Sequence, residues 1–278
     1  MDLYKKLRSF GWLGAILLAT TFGPSPALAQ GDNSGSAGSS GVSFTPVAGF
    51  WQNPNEPGGR GVVIETNASG EMFGAVLVFD NTGRSEWYIF ETTAAADGRQ
   101  AGLLQKFVGG QHLDGEYRQG AFLDFQGVVY FRFDSPTAGE MTWPGGVMPI
   151  TRYDVIAGGA QSGPAAGAPA GSWWWAEGEN GRGYFLEAQG DNLYFAALMY
   201  NDLGQSTWYY ARGSMTTPTF FQGTLNEPHG GQSMMSEQFQ QPTQNFNEGQ
   251  ITVQFTSNNA AMLTLHNGRQ VPITRYGF

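Results

Sequence analysis

From residue 45 onward the chain consists of short runs rich in Val, Phe, Tyr, Trp and Thr, separated by Gly, Asn and Asp. Runs of this kind between turn residues predict strands. They fall at 61–66, 71–79, 85–91, 128–133, 139–143 and 147–153, and again at 183–188, 192–200, 206–212, 251–256, 261–266 and 270–276. Asp80-Asn81-Thr82-Gly83 and Asn201-Asp202-Leu203-Gly204 predict hairpin loops in which the glycine supplies a positive φ. No helix-period pattern of useful length follows the N-terminal segment. The fold class expected is all-β, as two tandem antiparallel β-meander modules, small barrels or sandwiches, packed as separate domains or as one pseudo-symmetric body.

Two strands lack the in-out alternation of a sheet with one wet face. On 72–79, Phe73, Ala75, Leu77 and Phe79 lie opposite Met72, Gly74, Val76 and Val78. On 193–200, Leu193, Phe195, Ala197 and Met199 lie opposite Tyr194, Ala196, Leu198 and Tyr200. Both faces must then be covered, by a second sheet, the other repeat, a ligand cavity or lipid.

The pattern occurs twice. Trp51, Gly59-Arg60-Gly61, Glu65, Gly83, Trp87-Tyr88, Gly109-Gly110-Gln111 and Pro149-Ile150-Thr151-Arg152-Tyr153 return as Trp173, Gly181-Arg182-Gly183, Glu187, Gly204, Trp208-Tyr209, Gly230-Gly231-Gln232 and Pro272-Ile273-Thr274-Arg275-Tyr276. The offset stays between 121 and 123 residues, which marks a colinear duplication. It divides the chain into β-modules at 45–156 and 171–278, joined by a Gly/Ala/Pro linker at 157–170 and preceded by a flexible leader at 30–44. Residues 1–29 read as a secretory signal peptide: Lys5, Lys6 and Arg8, a short apolar run, then Ala27-Leu28-Ala29. The expected location is periplasmic or secreted.

The chain has no cysteine, so it can form neither disulfides nor a lipid anchor on Cys. Its net charge of −9 and lack of a basic patch argue against nucleic acid as a partner. Beyond the leader, Lys106 is the only lysine. Arginine therefore carries the positive charge, which suits fixed hydrogen-bonded pairs.

Arg60 with Glu65 and Arg182 with Glu187 are the best polar candidates, kept in both copies at one spacing. They could hold a sugar, Glu65 or Glu187 could act as acid or base, or Arg60 or Arg152 (and Arg182 or Arg275) could form an ion pair with a half-buried Glu. Glycoside hydrolysis needs two carboxylates, and the possible partners Glu56, Asp80 and Glu86 align with Gly178, Asn201 and Thr207, so no pair is shared. His112, His229 and His266 show no zinc-ligand spacing, and turn chemistry accounts for the loop Asp and Asn; no metal and no cofactor is expected.

Among the aromatics, Trp51 aligns with Trp173 and Trp87 with Trp208. Trp174 and Trp175 stand against Gln52 and Asn53, and Trp143 against Leu265. Because adjacent strand residues face opposite ways, one member of each cluster, Tyr88 and Tyr209 included, can lie outside the core. Exposed aromatic rings beside amides, Arg and Glu are what sugar stacking requires.

The series W-x-N-P-x-E-x-G-R-G, I-E, D-x-x-G, W-Y and I-T-R-Y resembles a family of repeat modules in predicted secreted proteins of Gram-negative bacteria, some stand-alone and some appended to secreted hydrolases. It spans 48–154 and 171–278; the second copy departs from it at Trp174, Trp175 and Ala176. The resemblance implies an extracytoplasmic location and β-architecture. The reading is a binding protein for a glycan or another cell-surface polymer, using Trp174, Trp175, Trp143, Tyr88, Tyr209, Arg60 and Arg182. The alternatives are a secreted hydrolase acting through Glu65 or Glu187, and an outer-membrane β-barrel, since the chain ends Tyr276-Gly277-Phe278. No spanning helix is expected.

Overall fold

The computed structural model describes residues 44–278. The signal-peptide reading and all but the last residue of the leader lie outside them. Eight strands form the first barrel: β1 (Gly49–Gln52), β2 (Gly61–Thr66), β3 (Met72–Phe79), β4 (Ser85–Ala94), β5 (Gln100–Val108), β6 (Ala121–Ser135), β7 (Ala138–Trp143) and β8 (Gly146–Arg152). Eight more form the second: β9 (Ser172–Trp175), β10 (Gly183–Gln189), β11 (Asn192–Tyr200), β12 (Ser206–Thr217), β13 (Phe220–His229), β14 (Gln244–Ser257), β15 (Ala260–Thr264) and β16 (Gln270–Arg275). Each is an antiparallel meander closed on itself, where Trp51 pairs with Arg152 and Trp174 with Arg275.

The predicted hairpins form: the Gly83 and Gly204 amides donate back to Asp80 and Asn201, at φ 83° and 74°. The pattern did not mark β1, β5, β9 or β13. The first and third of these have only four residues each, while β5 and β13 mix Gly, Gln, Lys and Asn with their apolar positions.

The other repeat covers the second face of the doubly apolar strands. Met72, Val76 and Val78 fill the first barrel, and Leu193, Phe195, Ala197 and Met199 fill the second. The opposite faces, Phe73, Ala75, Leu77 and Phe79 against Ala196, Leu198 and Tyr200, meet in a third apolar cluster at the seam. Lipid is not needed to explain this pattern. No helix among the described residues is long and apolar enough to cross a membrane.

Pairs of equivalent bonds cross the seam. Trp87 Nε1 donates to the Met199 carbonyl at 2.9 Å and Trp208 Nε1 to the Val78 carbonyl at 3.0 Å. The Gly109 amide donates to Gly204 and the Gly230 amide to Gly83, both at 2.6 Å. The repeated Gly-Gly-Gln element belongs here. A Cβ on Gly110 would stand 2.0 Å from the Tyr200 ring, and one on Gly231 2.1 Å from the Phe79 ring, so only glycine allows the approach.

Beyond these glycines, each β5–β6-type loop enters the other barrel. Leu113 joins the core of the second barrel and Met234 that of the first. The Met234 carbonyl accepts from Trp143 Nε1 at 3.0 Å and Arg60 Nη1 at 3.4 Å. Each module is thus completed by its partner. The linker is also docked: the Ala165 amide donates to Gly190 and the Gly190 amide to Gly163.

Candidate functional site

Glu65 and Glu187 face the seam and serve the packing of one barrel on the other. Glu187, 2% exposed, accepts from the Phe50 amide at 2.6 Å and from Arg152 Nη2 at 2.5 Å, both from the first module. Glu65 accepts from the Trp173 amide at 2.8 Å and Arg275 Nη2 at 3.1 Å, both from the second. Glu65 of Ile64-Glu65 and Glu187 of Leu186-Glu187 each meet the Arg of the opposite I-T-R-Y element. Burial raises Glu65 above its ordinary value, although the Trp173 amide and Arg275 act to lower it. With their oxygens engaged inside the seam, neither carboxylate is placed to act on a substrate, which corrects the acid-base assignment.

Strand register also corrects the alignment of the tryptophans. Trp51 pairs with Val62 and Arg152; Trp174 pairs with Tyr184 and Arg275. Trp174, not Trp173, is the counterpart of Trp51, Trp173 matches Phe50, and Trp175 matches Gln52. The shift, caused by one residue fewer in the loop after β9, also aligns Glu56 with Glu179. Arg60 is paired with Glu56 at 2.9 Å, and Arg182 with Glu179. Both copies thus carry an Arg–Glu pair beside the loop that plugs the barrel.

Most residues expected to form an exposed surface are interior. Trp174 is fully buried against Phe255, with ring centroids 5.6 Å apart. Trp143 lies in the first core beneath Arg60, whose guanidinium sits 4.9 Å from its ring. Tyr88 and Tyr209 point into the barrels, because on β4 and β12 it is Trp87 and Trp208 that face the seam. Arg60 and Arg182 are buried. Of the seven, only Trp175 keeps partial exposure, at the edge of the seam.

An open cleft of about 300 Å³ lies at one side of the seam, and sequence reasoning did not assign it. Its aromatic wall is Tyr194, Tyr210 and Tyr153, each half-buried, on a floor of Phe50 and Trp208. Tyr194 and Tyr210 stack with centroids 5.9 Å apart at 20°. Tyr153 meets Tyr194 edge-on at 5.6 Å. Two of the hydroxyls are fixed: Arg212 Nη1 donates to Tyr153 Oη at 2.8 Å, and Tyr210 Oη donates to Asn245 Oδ1 at 3.1 Å. Burial pushes the Tyr194 and Tyr210 phenols above their usual value, so both stay neutral donors near pH 7. Gln52, Gln241 and Asn245 add amides at the rim.

The internal duplication provides a control. Strand register places Phe73 where Tyr194 stands, Ile89 for Tyr210, Glu91 for Arg212, Tyr276 for Tyr153, Phe122 for Asn245 and Trp175 for Gln52. There the space is packed: Phe278 lies 5.6 Å from Phe73 and 6.4 Å from Tyr276, and Trp175 6.1 Å from Tyr276. The fold closes this seam edge with apolar rings at one position. At the other it keeps a polar, hydroxyl-lined opening. The signal was present as Tyr for Phe, Tyr for Ile and Arg for Glu between the copies, but these exchanges lie within strands whose shared residues are core.

No family model matches the chain, and neither a curated protein nor a solved structure matches it.

Proposed function

We propose that this is an exported binding protein that recognises a glycan in the cleft walled by Tyr194, Tyr210 and Tyr153. The reading rests on the contrast between that opening and its packed counterpart: core packing alone requires neither the hydroxyls nor the space. A pyranose presents an apolar face to a tyrosine ring and its hydroxyls to amides at the edge, and Tyr194 and Tyr210 stand beside Gln52, Gln241 and Asn245. A volume of about 300 Å³ lies at the small end of the range for ligand pockets, roughly 300 to 1,000 Å³. The site holds a short segment of a polymer rather than a long chain.

Titration calorimetry and retention on soluble and insoluble polysaccharides test this reading. Binding is expected to be lost in Tyr194→Ala and Tyr210→Ala while both variants stay folded at the assay temperature, which melting curves check. No retention on any glycan, or retention unaffected by either substitution, overturns it.

A further inference from the structure

We infer that the ligand of this cleft is an acidic glycan, one carrying uronate carboxylates, and that Arg212 is the residue that receives the carboxylate. This inference rests on the glycan-binding reading and specifies its substrate class.

The first observation concerns charge balance. Among the described residues, nearly every cation has a carboxylate partner within 4.0 Å: Arg60, Arg84, Arg99, Lys106, Arg132, Arg152, Arg182, Arg269 and Arg275. Arg118 and Arg212 have none, and Arg118 is committed to the Gly110 carbonyl at 2.6 Å. Arg212 is exposed at the rim of the aromatic cleft, where its recorded bond, to Tyr153 Oη, engages Nη1.

The second observation is the composition of the cleft itself. In a chain of net charge −9, no Asp or Glu lines it. Its two cations are Arg60, neutralised by Glu56, and Arg212. A guanidinium without a carboxylate partner, beside apolar rings and with no acid in the cleft lining, attracts an anion and receives a planar carboxylate as two parallel hydrogen bonds. The bond to Tyr153 fixes one edge of the guanidinium, leaving Nη2 and Nε for the ligand.

The third is the equivalent position. Where the seam edge is packed shut, Arg212 is replaced by Glu91, on the strand position opposite Phe73 as Arg212 is opposite Tyr194. The positive charge thus accompanies the open cleft and is reversed at the filled one. A neutral sugar would need rings and amides but not this charge.

The test compares oligogalacturonate with its carboxyl-reduced counterpart, which has the same backbone without the charge. Wild-type protein is expected to bind the acidic form at least about tenfold more tightly, and Arg212→Gln to remove that preference, so that the acidic and reduced forms bind alike. The preference is expected to shrink with added salt. Equal affinity for both oligosaccharides, or a preference that survives Arg212→Gln, overturns the inference. If that neutral binding is lost in Tyr210→Ala, the glycan-binding reading stands without it. Binding to neither oligosaccharide nor to any other glycan removes both. Binding of poly-glutamate in place of oligogalacturonate overturns the inference in favour of an acidic peptide. An unchanged melting temperature in Arg212→Gln separates lost recognition from lost fold.

Discussion

The carboxylate of Glu187 is clasped by the guanidinium of Arg152, two buried side chains from different barrels whose shortest contact is 2.5 Å. Glu65 and Arg275 form the equivalent pair at 3.1 Å, but there the arginine side chain is 37% exposed. The duplication therefore gives two similar bridges in unequal surroundings.

The inequality predicts unequal costs. Removing one partner of a buried pair strands the other charge, so Arg152→Met should cost about 3 to 5 kcal/mol. Arg275→Met, beside solvent, should cost about 1 kcal/mol or less. Arg152→Met combined with Glu187→Leu should lose less than the sum of the two single variants, since neither charge is then left alone. Urea unfolding of the four variants measures this. Equal costs for the two arginines would mean that solvent does not distinguish the bridges.

The exchanged loops make a spatial prediction. Leu113 belongs by sequence to the first module but packs in the core of the second, so Leu113→Ala should cost about 2 to 5 kcal/mol. The loss should register as faster hydrogen exchange in β10, β11 and β13, across the seam from the substitution. Faster exchange confined to β5 and β6 would show that the plug does not support the far barrel.

Glu65 sets a pH dependence. Its affinity for a proton is higher in the folded protein than the ordinary 4.5, with burial the largest cause. Such a group favours the folded state most below its unfolded value, and that contribution is lost as pH rises through the folded one. Relative to the parent, Glu65→Gln should therefore gain stability as pH rises through the window above 4.5. Denaturant midpoints from about pH 4 to about pH 7 test this. A stability difference, variant minus parent, that stays constant or falls over this range rules it out.

The all-β class, the hairpins at Gly83 and Gly204 and the doubly covered strands were legible because each follows from local pattern: turn glycines, β-branched and aromatic runs, apolar residues on both faces. For the Gly-Arg-Gly and I-E elements an ion pair with Arg152 or Arg275 was one of several readings, and nothing local decided among them. The odd spacing sets Arg60 and Glu65 on opposite faces of a strand, and the fold joins Arg60 to Glu56 and sends Glu65 to Arg275, 210 residues away, a pairing that no strand periodicity encodes. The tryptophans misled for a related reason. A single residue missing after β9 shifts the register, so Trp174 reads as unmatched when it is the core counterpart of Trp51. The cleft escaped notice because its tyrosines occupy positions that are hydrophobic in the other copy, and only the closed seam shows which side has space.

Phe278 and Trp175, wedged beside Tyr276, leave the tyrosine-walled cleft without a twin at the equivalent seam edge. Duplication commonly offers a protein two grips on a long strand, and with them the gain that comes from rebinding before full release. On the glycan-binding reading proposed above, that gain is absent: one chain would hold one stretch of polymer in the Tyr194 cleft, with no equivalent cleft to rebind it.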